Sequence, residues 1–384
     1  MSDDLQKMVA NALEARGKAL YRSRFAPEAR RDALDFASND YLGLRRHPKV
    51  IDAMAAAAKQ WGAGSGASPL VTGYTAAHAS AERAIAEWKG TESAVLLPSG
   101  YQANHAAVQA LVGAAEAAGQ RIRFLFDKLV HASLIDAVVG SGKLFRTFAH
   151  NELSKLARLL EEAAEGELQI VVTESIFSMD GDSADLRAMA ELKRRRPFVL
   201  MVDEAHGSGV YGPSGSGLAS ELGVAQDVDV FIVTLSKAAG CAGGAVCGSR
   251  AVGEAVVNFG RAYIYSTAIA PAVAAGCEAA LQVMRDEPQR QRRVRQMSVK
   301  VRGQLASTGW KIPPGDSPII PIIVGGEEAA LALAKQLEER DIWALAIRPP
   351  TVARGSSRLR ITLSSEHSDA AVDRLTESLA AARG

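Results

Sequence analysis

Cysteine is scarce in this chain: three residues, Cys241, Cys247 and Cys277, in a sequence of 384. An odd number without the paired spacing of a zinc site excludes a disulfide framework and points to reduced thiols in a cytoplasmic protein. Charge of one sign is lacking too. The 44 Lys and Arg nearly balance 43 Asp and Glu, for a net +1, so no whole-molecule field would draw nucleic acid or an anionic membrane surface. The basic stretch 285–302 also holds Asp286 and Glu287 and reads mainly as a solvated helix face. Residues 193–196, Lys-Arg-Arg-Arg, read as a helix C-terminus, where cations suit the dipole. No apolar run suits a membrane span, because the alanine-rich segment 268–284 is broken by Pro271 and Glu278. The N-terminus, Met1-Ser-Asp-Asp-Leu5, is acidic and has no apolar h-region, so no secretory signal is expected. Internal repeats and low-complexity linkers are also missing.

What is present is a rhythm. With 48% hydrophobic and 23% charged residues, the chain can bury a large core, and its length suggests two or three lobes. Helices are expected over residues 4–20, 48–61, 75–89, 151–165 and 186–195. Pro48 suits a first turn, and Gly90 suits a left-handed stop. Short strands are expected at 33–36, 94–97, 122–126, 144–148, 169–173, 199–202, 229–233 and 245–247. After the first of these, the alternation predicts an α/β fold with a mostly parallel seven-stranded sheet flanked by helices. Past a long helix near 271–285 the pattern changes. Strands at 319–324, 343–347 and 358–363, with helices at 327–340 and 368–382, predict a small C-terminal α+β domain. The expected division is an N-terminal helix and strand over 1–45, a large domain over 46–275 and the small domain over 276–384.

Ligands of such sheets gather beyond the carboxyl ends of the strands, and the residues that stand out lie there. Lys237 follows the apolar run 228–234 and precedes small residues and glycines as far as Gly244, which leaves room for a bulky aldehyde on its amine. Another apolar strand ends in Asp203-Glu-Ala-His206-Gly207. A carboxylate, an imidazole and an amine at neighbouring strand ends are what pyridoxal phosphate (PLP) asks of a protein. Ser99-Gly100-Tyr101 joins a strand to a helix, where outward amides suit a phosphate; Thr234 and Ser236 could donate hydroxyls to the same group. Tyr101 could equally be packing, and Asp203 alone could be an N-cap. Ser178 could assist His206 at the ring hydroxyl, and His131 could stack on the ring face or be structural.

The ordered set resembles the α-oxoamine synthases, fold-type I PLP enzymes, from Ser38-Asn-Asp-Tyr-Leu-Gly43 to the C-terminal lobe. The matching stretches are Gly62-Ala-Gly-Ser-Gly66, Val130-His-Ala-Ser133, Thr173-Glu-Ser-Ile-Phe-Ser-Met-Asp-Gly181, Asp203-Glu-Ala-His-Gly207 and Thr234-Leu-Ser-Lys237. The resemblance implies that Lys237 links covalently to PLP and that Asp203 pairs with the pyridine nitrogen. It places His206 and Ser178 at the ring oxygen, His131 on the ring, and Gly100, Tyr101 and Thr234 on the phosphate. Thr267 would reach the phosphate in a partner copy, which implies a homodimer. Asn39 and Arg360 are expected on the amino-acid carboxylate, and Arg22, Arg348 and Thr351 on the acyl chain. The segment 25–36 is shorter than the family's usual strand-turn-strand, so Ser23 or Arg24 could take the role of Arg22. Residues 346–352 and 358–362 most resemble the branch that condenses L-alanine with a pimeloyl thioester of coenzyme A or acyl carrier protein.

Rival readings separate on particular features. Glycine acetyltransfer or 5-aminolevulinate synthesis would differ only in substrate choice. A nicotinamide oxidoreductase would need a glycine-rich turn after a strand, whereas Gly62–Gly66 follows a helix. A non-catalytic partner subunit of this family would typically lack the lysine present at 237.

Overall fold

The computed structural model describes residues 2–16 and 33–383. Two compact units emerge. The larger holds Asn39–Gln296 and Ser364–Glu366; the smaller holds Met297–Leu363 together with the described residues before Asn39 and after Glu366. This division differs from the expected boundary after residue 275. The helix Pro271–Asp286 stays with the larger unit because it packs on the helices Pro48–Trp61 and Ala76–Lys89.

Strand β1 (Leu34–Asp35) belongs to the smaller unit. The larger unit is built on β2 (Ser93–Leu97), β3 (Arg121–Asp127), β4 (Leu144–Phe148), β5 (Glu167–Glu174), β6 (Val199–Asp203), β7 (Val230–Thr234) and β8 (Gly244–Gly248). They form one seven-stranded sheet in the order β2-β8-β7-β6-β5-β3-β4, in which only β8 runs against its neighbours. The inner strands β6, β7 and β8 are apolar on both faces, as helix-covered strands must be, whereas the edge strand β4 is exposed over Leu144–Thr147. Val95, Leu97, Phe124, Val172, Met201, Ile232 and Val246 are buried in one core with the alanines of the helix Gly100–Ala117. Small alanines at 103, 106, 107 and 110 let that helix lie close on the sheet. Each buried Leu, Ile, Val or Phe contributes about 1.5–3 kcal/mol.

The smaller unit carries β9 (Ile319–Gly325), β10 (Ile342–Trp343), β11 (Leu345–Ile347) and β12 (Ser357–Thr362). The single strand expected at 343–347 is two pieces. Ile342 and Trp343 pair in parallel with Leu34 and Asp35, whereas Leu345–Ile347 joins the antiparallel sheet β11-β12-β9. In the stretch 285–302, Arg285, Arg292, Arg293 and Lys300 are exposed, as a solvated face requires, and Arg302 on the helix Gln289–Ser307 is the exception. It is buried and donates to the carbonyls of Pro313, at 2.6 Å, and Ile319, at 2.7 Å. A guanidinium fork satisfied by backbone carbonyls need not face water.

Candidate active site

The sheet brings three side chains to neighbouring strand ends. Asp203 ends β6, Glu174 ends β5 in register with it, and Thr234 ends β7. Beyond Thr234 the chain folds into a tight loop. Leu235 N donates to Gly243 O, Gly240 N to Lys237 O and Cys241 N to Leu235 O, at 2.9 to 3.0 Å. That loop presents Lys237, whose Nζ lies 2.8 Å from His206 Nε2. The other nitrogen of His206 is 2.5 Å from the Tyr41 hydroxyl, and Tyr41 donates in turn to Asn39 Oδ1 at 3.2 Å. With the tyrosine hydrogen spent on Asn39, His206 Nδ1–H donates to Tyr41, and His206 Nε2 accepts from Lys237. Amine, imidazole, phenol and amide thus form one directed chain.

Asp203 is buried, and each of its oxygens accepts one hydrogen bond. Its Oδ1 accepts from the Ala205 amide and its Oδ2 from Asn104 Nδ2, both at 2.9 Å. It does not cap a helix, so the N-cap alternative falls away. Gly100 opens the helix Gly100–Ala117, and Ser99 caps it by accepting from Gln102 N. A Cβ at Gly100 would stand 2.4 Å from Thr234 Oγ1, so only glycine lets the β7 hydroxyl lie against the first-turn amides. Amides and a hydroxyl converging on one spot suit a phosphate. Tyr101 is exposed, and its hydroxyl donates to Asp136 Oδ2 at 2.9 Å, so the side chain turns away and the backbone N–H is what it offers.

His131 caps the helix Ala132–Ser141 and is exposed, with Nδ1 2.7 Å from Ser133 Oγ. Partial burial of the ring lowers its pKa; the charge of Lys237 adds to that shift, and Asp203 and Asp136 oppose it. Glu174 is wholly buried, and its carboxyl is pushed well above the usual range, first by desolvation and then by the neighbouring Asp203 charge. Ser178 is half-buried on the loop after β5. Thr267 is exposed just before the helix Pro271–Asp286; its neighbour Ala268 donates to Ala67 O at 3.0 Å, and Ser266 Oγ accepts from Gln102 at 3.2 Å. In the smaller unit, Arg348 and Thr351 lie on the loop between β11 and β12, and buried Arg360 on β12 donates to Thr362 Oγ1 at 2.9 Å. Arg22 lies outside the described residues.

Tyr41, Asn104, Ser133, Glu174 and His150 were given no role from the sequence. His150 ties together the two loops that carry His131 and Ser178. Its Nδ1 is 3.0 Å from Asp127 Oδ1 and its Nε2 2.7 Å from Asp182 Oδ2. Burial alone would lower its pKa, but hydrogen bonds to Asp127 and Asp182, with their charges, raise it to about 10. A raised histidine pKa contributes stability that is complete below the unfolded value and fades as pH rises through the folded one. His150→Gln is therefore expected to cost about 2 kcal/mol at pH 6. Urea titrations should show the gap to wild type narrowing as pH climbs from 6.5 towards 10; a constant gap would contradict an imidazolium bridge.

The lysine, the buried carboxylate and the phosphate-shaped strand-to-helix turn fit PLP, and the whole-chain comparisons agree. The model of the aminotransferase class I and II family matches residues 31–379. The chain belongs to that family and, within it, to the α-oxoamine synthases, which are PLP-dependent enzymes. A similar relative, the 8-amino-7-oxononanoate synthase of Stutzerimonas stutzeri, is 45% identical over 369 residues, covering 95% of this chain and 92% of its own. The structure resembles the serine palmitoyltransferase of S. paucimobilis, solved with bound PLP and myriocin, at 26% identity and TM-score 0.86, covering 90% of this chain and 86% of that one. It also resembles the 8-amino-7-oxononanoate synthase of Francisella tularensis, at 25% identity and TM-score 0.78, covering 91% and 97%. Among the described residues no helix is long and apolar enough to cross a membrane.

Proposed function

We propose that this chain is an 8-amino-7-oxononanoate synthase, condensing L-alanine with a pimeloyl thioester in biotin biosynthesis. The observation that carries the reading is the meeting of Lys237, His206 and Asp203 at the strand ends of a chain 45% identical to such an enzyme. PLP, when bound, supplies an electron sink for the charge developing on the amino-acid α-carbon. Lys237 Nζ would hold the cofactor aldehyde and, as a free amine, would take the α-proton. Asp203 would hold a proton on the ring nitrogen, and its hydrogen bonds from Asn104 and Ala205 keep the carboxylate in place. His206 and Ser178 would serve the ring oxygen, His131 the ring face, and Gly100, Tyr101 and Thr234 the phosphate. The family resemblance implies Asn39 and Arg360 for the alanine carboxylate, a planar fork suiting a planar anion. Arg348 and Thr351 would meet the acyl chain. In the overall reaction a bond forms between the alanine α-carbon and the acyl carbon, the carbon–sulfur bond breaks with loss of thiol, and carbon dioxide leaves.

The same reading includes a homodimer, with Thr267 serving the phosphate of the neighbouring copy. Val71 and Tyr265 support it: both are more than 70% exposed, on segments linked through Ala268 and Ala67. Covering these two open apolar side chains is what a partner copy would do there.

The serine palmitoyltransferase fold match is higher in TM-score than the synthase match, so the amino acid and acyl chain need a direct assay. Carbon dioxide release should be measured for alanine, glycine and serine against acetyl, succinyl, pimeloyl and palmitoyl thioesters. Alanine with pimeloyl is expected to lead in kcat/KM by at least about tenfold, the discrimination that a few methylenes and a methyl allow. A lead for serine with palmitoyl, or glycine with a short acyl group, would replace the proposal.

A further inference from the structure

Hydrogen-bond direction propagates from Asp203 to His131. An ionised carboxylate only accepts, and Asp203 Oδ2 receives Asn104 Nδ2 at 2.9 Å. That contact fixes the Asn104 amide, since the flipped orientation would set its carbonyl oxygen against a negative charge. The second hydrogen of the same NH2 group goes to Ser133 Oγ, also at 2.9 Å. Ser133 Oγ accepts from Asn104, which leaves its own hydrogen for His131 Nδ1, 2.7 Å away. The Ser133 backbone N–H points at that nitrogen as well, at 3.3 Å. With two donors aimed at it, Nδ1 carries no proton, and a neutral ring must hold its hydrogen on Nε2. Asn104, Ser133 and Asp203 are all buried, so water is poorly placed to scramble the order.

We propose that Asn104 and Ser133 are positioning residues that lock His131 in the Nε2–H tautomer, so that its ring offers substrate a proton donor rather than a lone pair. The network divides the labour at the site: Lys237 is the amine that removes a proton, and His131 is kept from competing as a base. An N–H donor there suits the carbonyl oxygen of the incoming thioester, where negative charge builds during acyl transfer. That last role rests on the condensation proposed above. The tautomer itself does not.

The test is two-bond proton–nitrogen correlation on the PLP-loaded protein with labelled histidine, at pH 8. His131 is assigned by the signal lost in His131→Asn. The expected wild-type pattern is Nε2–H. Asn104→Ala and Ser133→Ala should each introduce the Nδ1–H form, and Ser133→Thr, which keeps the hydroxyl, should restore the wild-type pattern. If Asn104→Ala fails to fold, the Ser133 pair decides. An Nδ1–H ring or an imidazolium in wild type, or Ser133→Ala with an unchanged pattern, overturns the proposal. A protein that shows the Nε2–H lock yet releases no carbon dioxide from alanine and pimeloyl thioester keeps this inference and overturns only the substrate reading.

Discussion

Lys237→Ala is expected to lower kcat on the order of 10⁴-fold, because one substitution removes both the covalent anchor of PLP and the base for the α-proton. PLP should still bind, since the Gly100 turn, Thr234, Asp203 and the His131 ring remain. The variant should therefore be isolated with cofactor that leaves on dialysis, whereas wild type keeps it. Borohydride treatment followed by peptide mass analysis should label the peptide holding residue 237 in wild type alone. Lys237→Arg should not restore turnover, because a guanidinium keeps the charge but is neither nucleophile nor base. Wild-type turnover in Lys237→Ala, or a borohydride label elsewhere, would refute the assignment. The substitution also removes the donor to His206 Nε2, so a change in the pH profile of residual activity should accompany the loss of rate.

Lys237 was legible in the sequence because its surroundings are local: an apolar strand before it and small residues after it. The same holds for the helix Leu186–Arg195, whose bounds match the expectation, and for Pro48–Trp61, which opens on a proline. The strand ends at Asp203 and Thr234 were legible because helix-covered strands are continuous apolar runs whose first polar residue marks the edge. The hydrogen-bonded frame of the site was not. Asn104 sits in an alanine-rich helix with nothing local to set it apart, and its partner Asp203 is 99 positions away. His150 joins Asp127 and Asp182, separated from it by 23 and 32 positions. Single polar residues reveal such roles only once the fold has chosen their neighbours. Arg302 shows the converse error, since a basic residue in a charged helix looks solvated until the carbonyls that receive it are in place.

The motif Asp203-Glu-Ala-His206 hides a second buried anion, and the largest stability effect is expected there. Glu204 stands between Asp203 and His206 in the chain, with its side chain wholly removed from solvent. Its Oε2 pairs with Lys89 Nζ, and its Oε1 accepts from Ala219 N at 2.9 Å. Lys89 is equally buried; it also donates to Ser216 O and stands 4.4 Å from the centre of the Phe231 ring. Bringing both charges out of water is costly, so the pair adds little net stability over an apolar substitute. Removing one partner is different, because it strands the other charge in the core. Lys89→Ala is expected to cost about 3–5 kcal/mol, and Glu204→Ala a similar amount. The double variant Lys89→Met with Glu204→Leu should recover most of the loss, since neither member is then left charged and alone. Urea midpoints of the PLP-free protein would measure all three. The turn that carries Glu204 also sets Asp203 and His206, so Lys89→Ala should weaken PLP retention although it touches no cofactor-facing residue. A loss below about 1 kcal/mol in both single variants would mean that water reaches the pair, and the turn would then owe its shape to the β6 and β7 ladder alone.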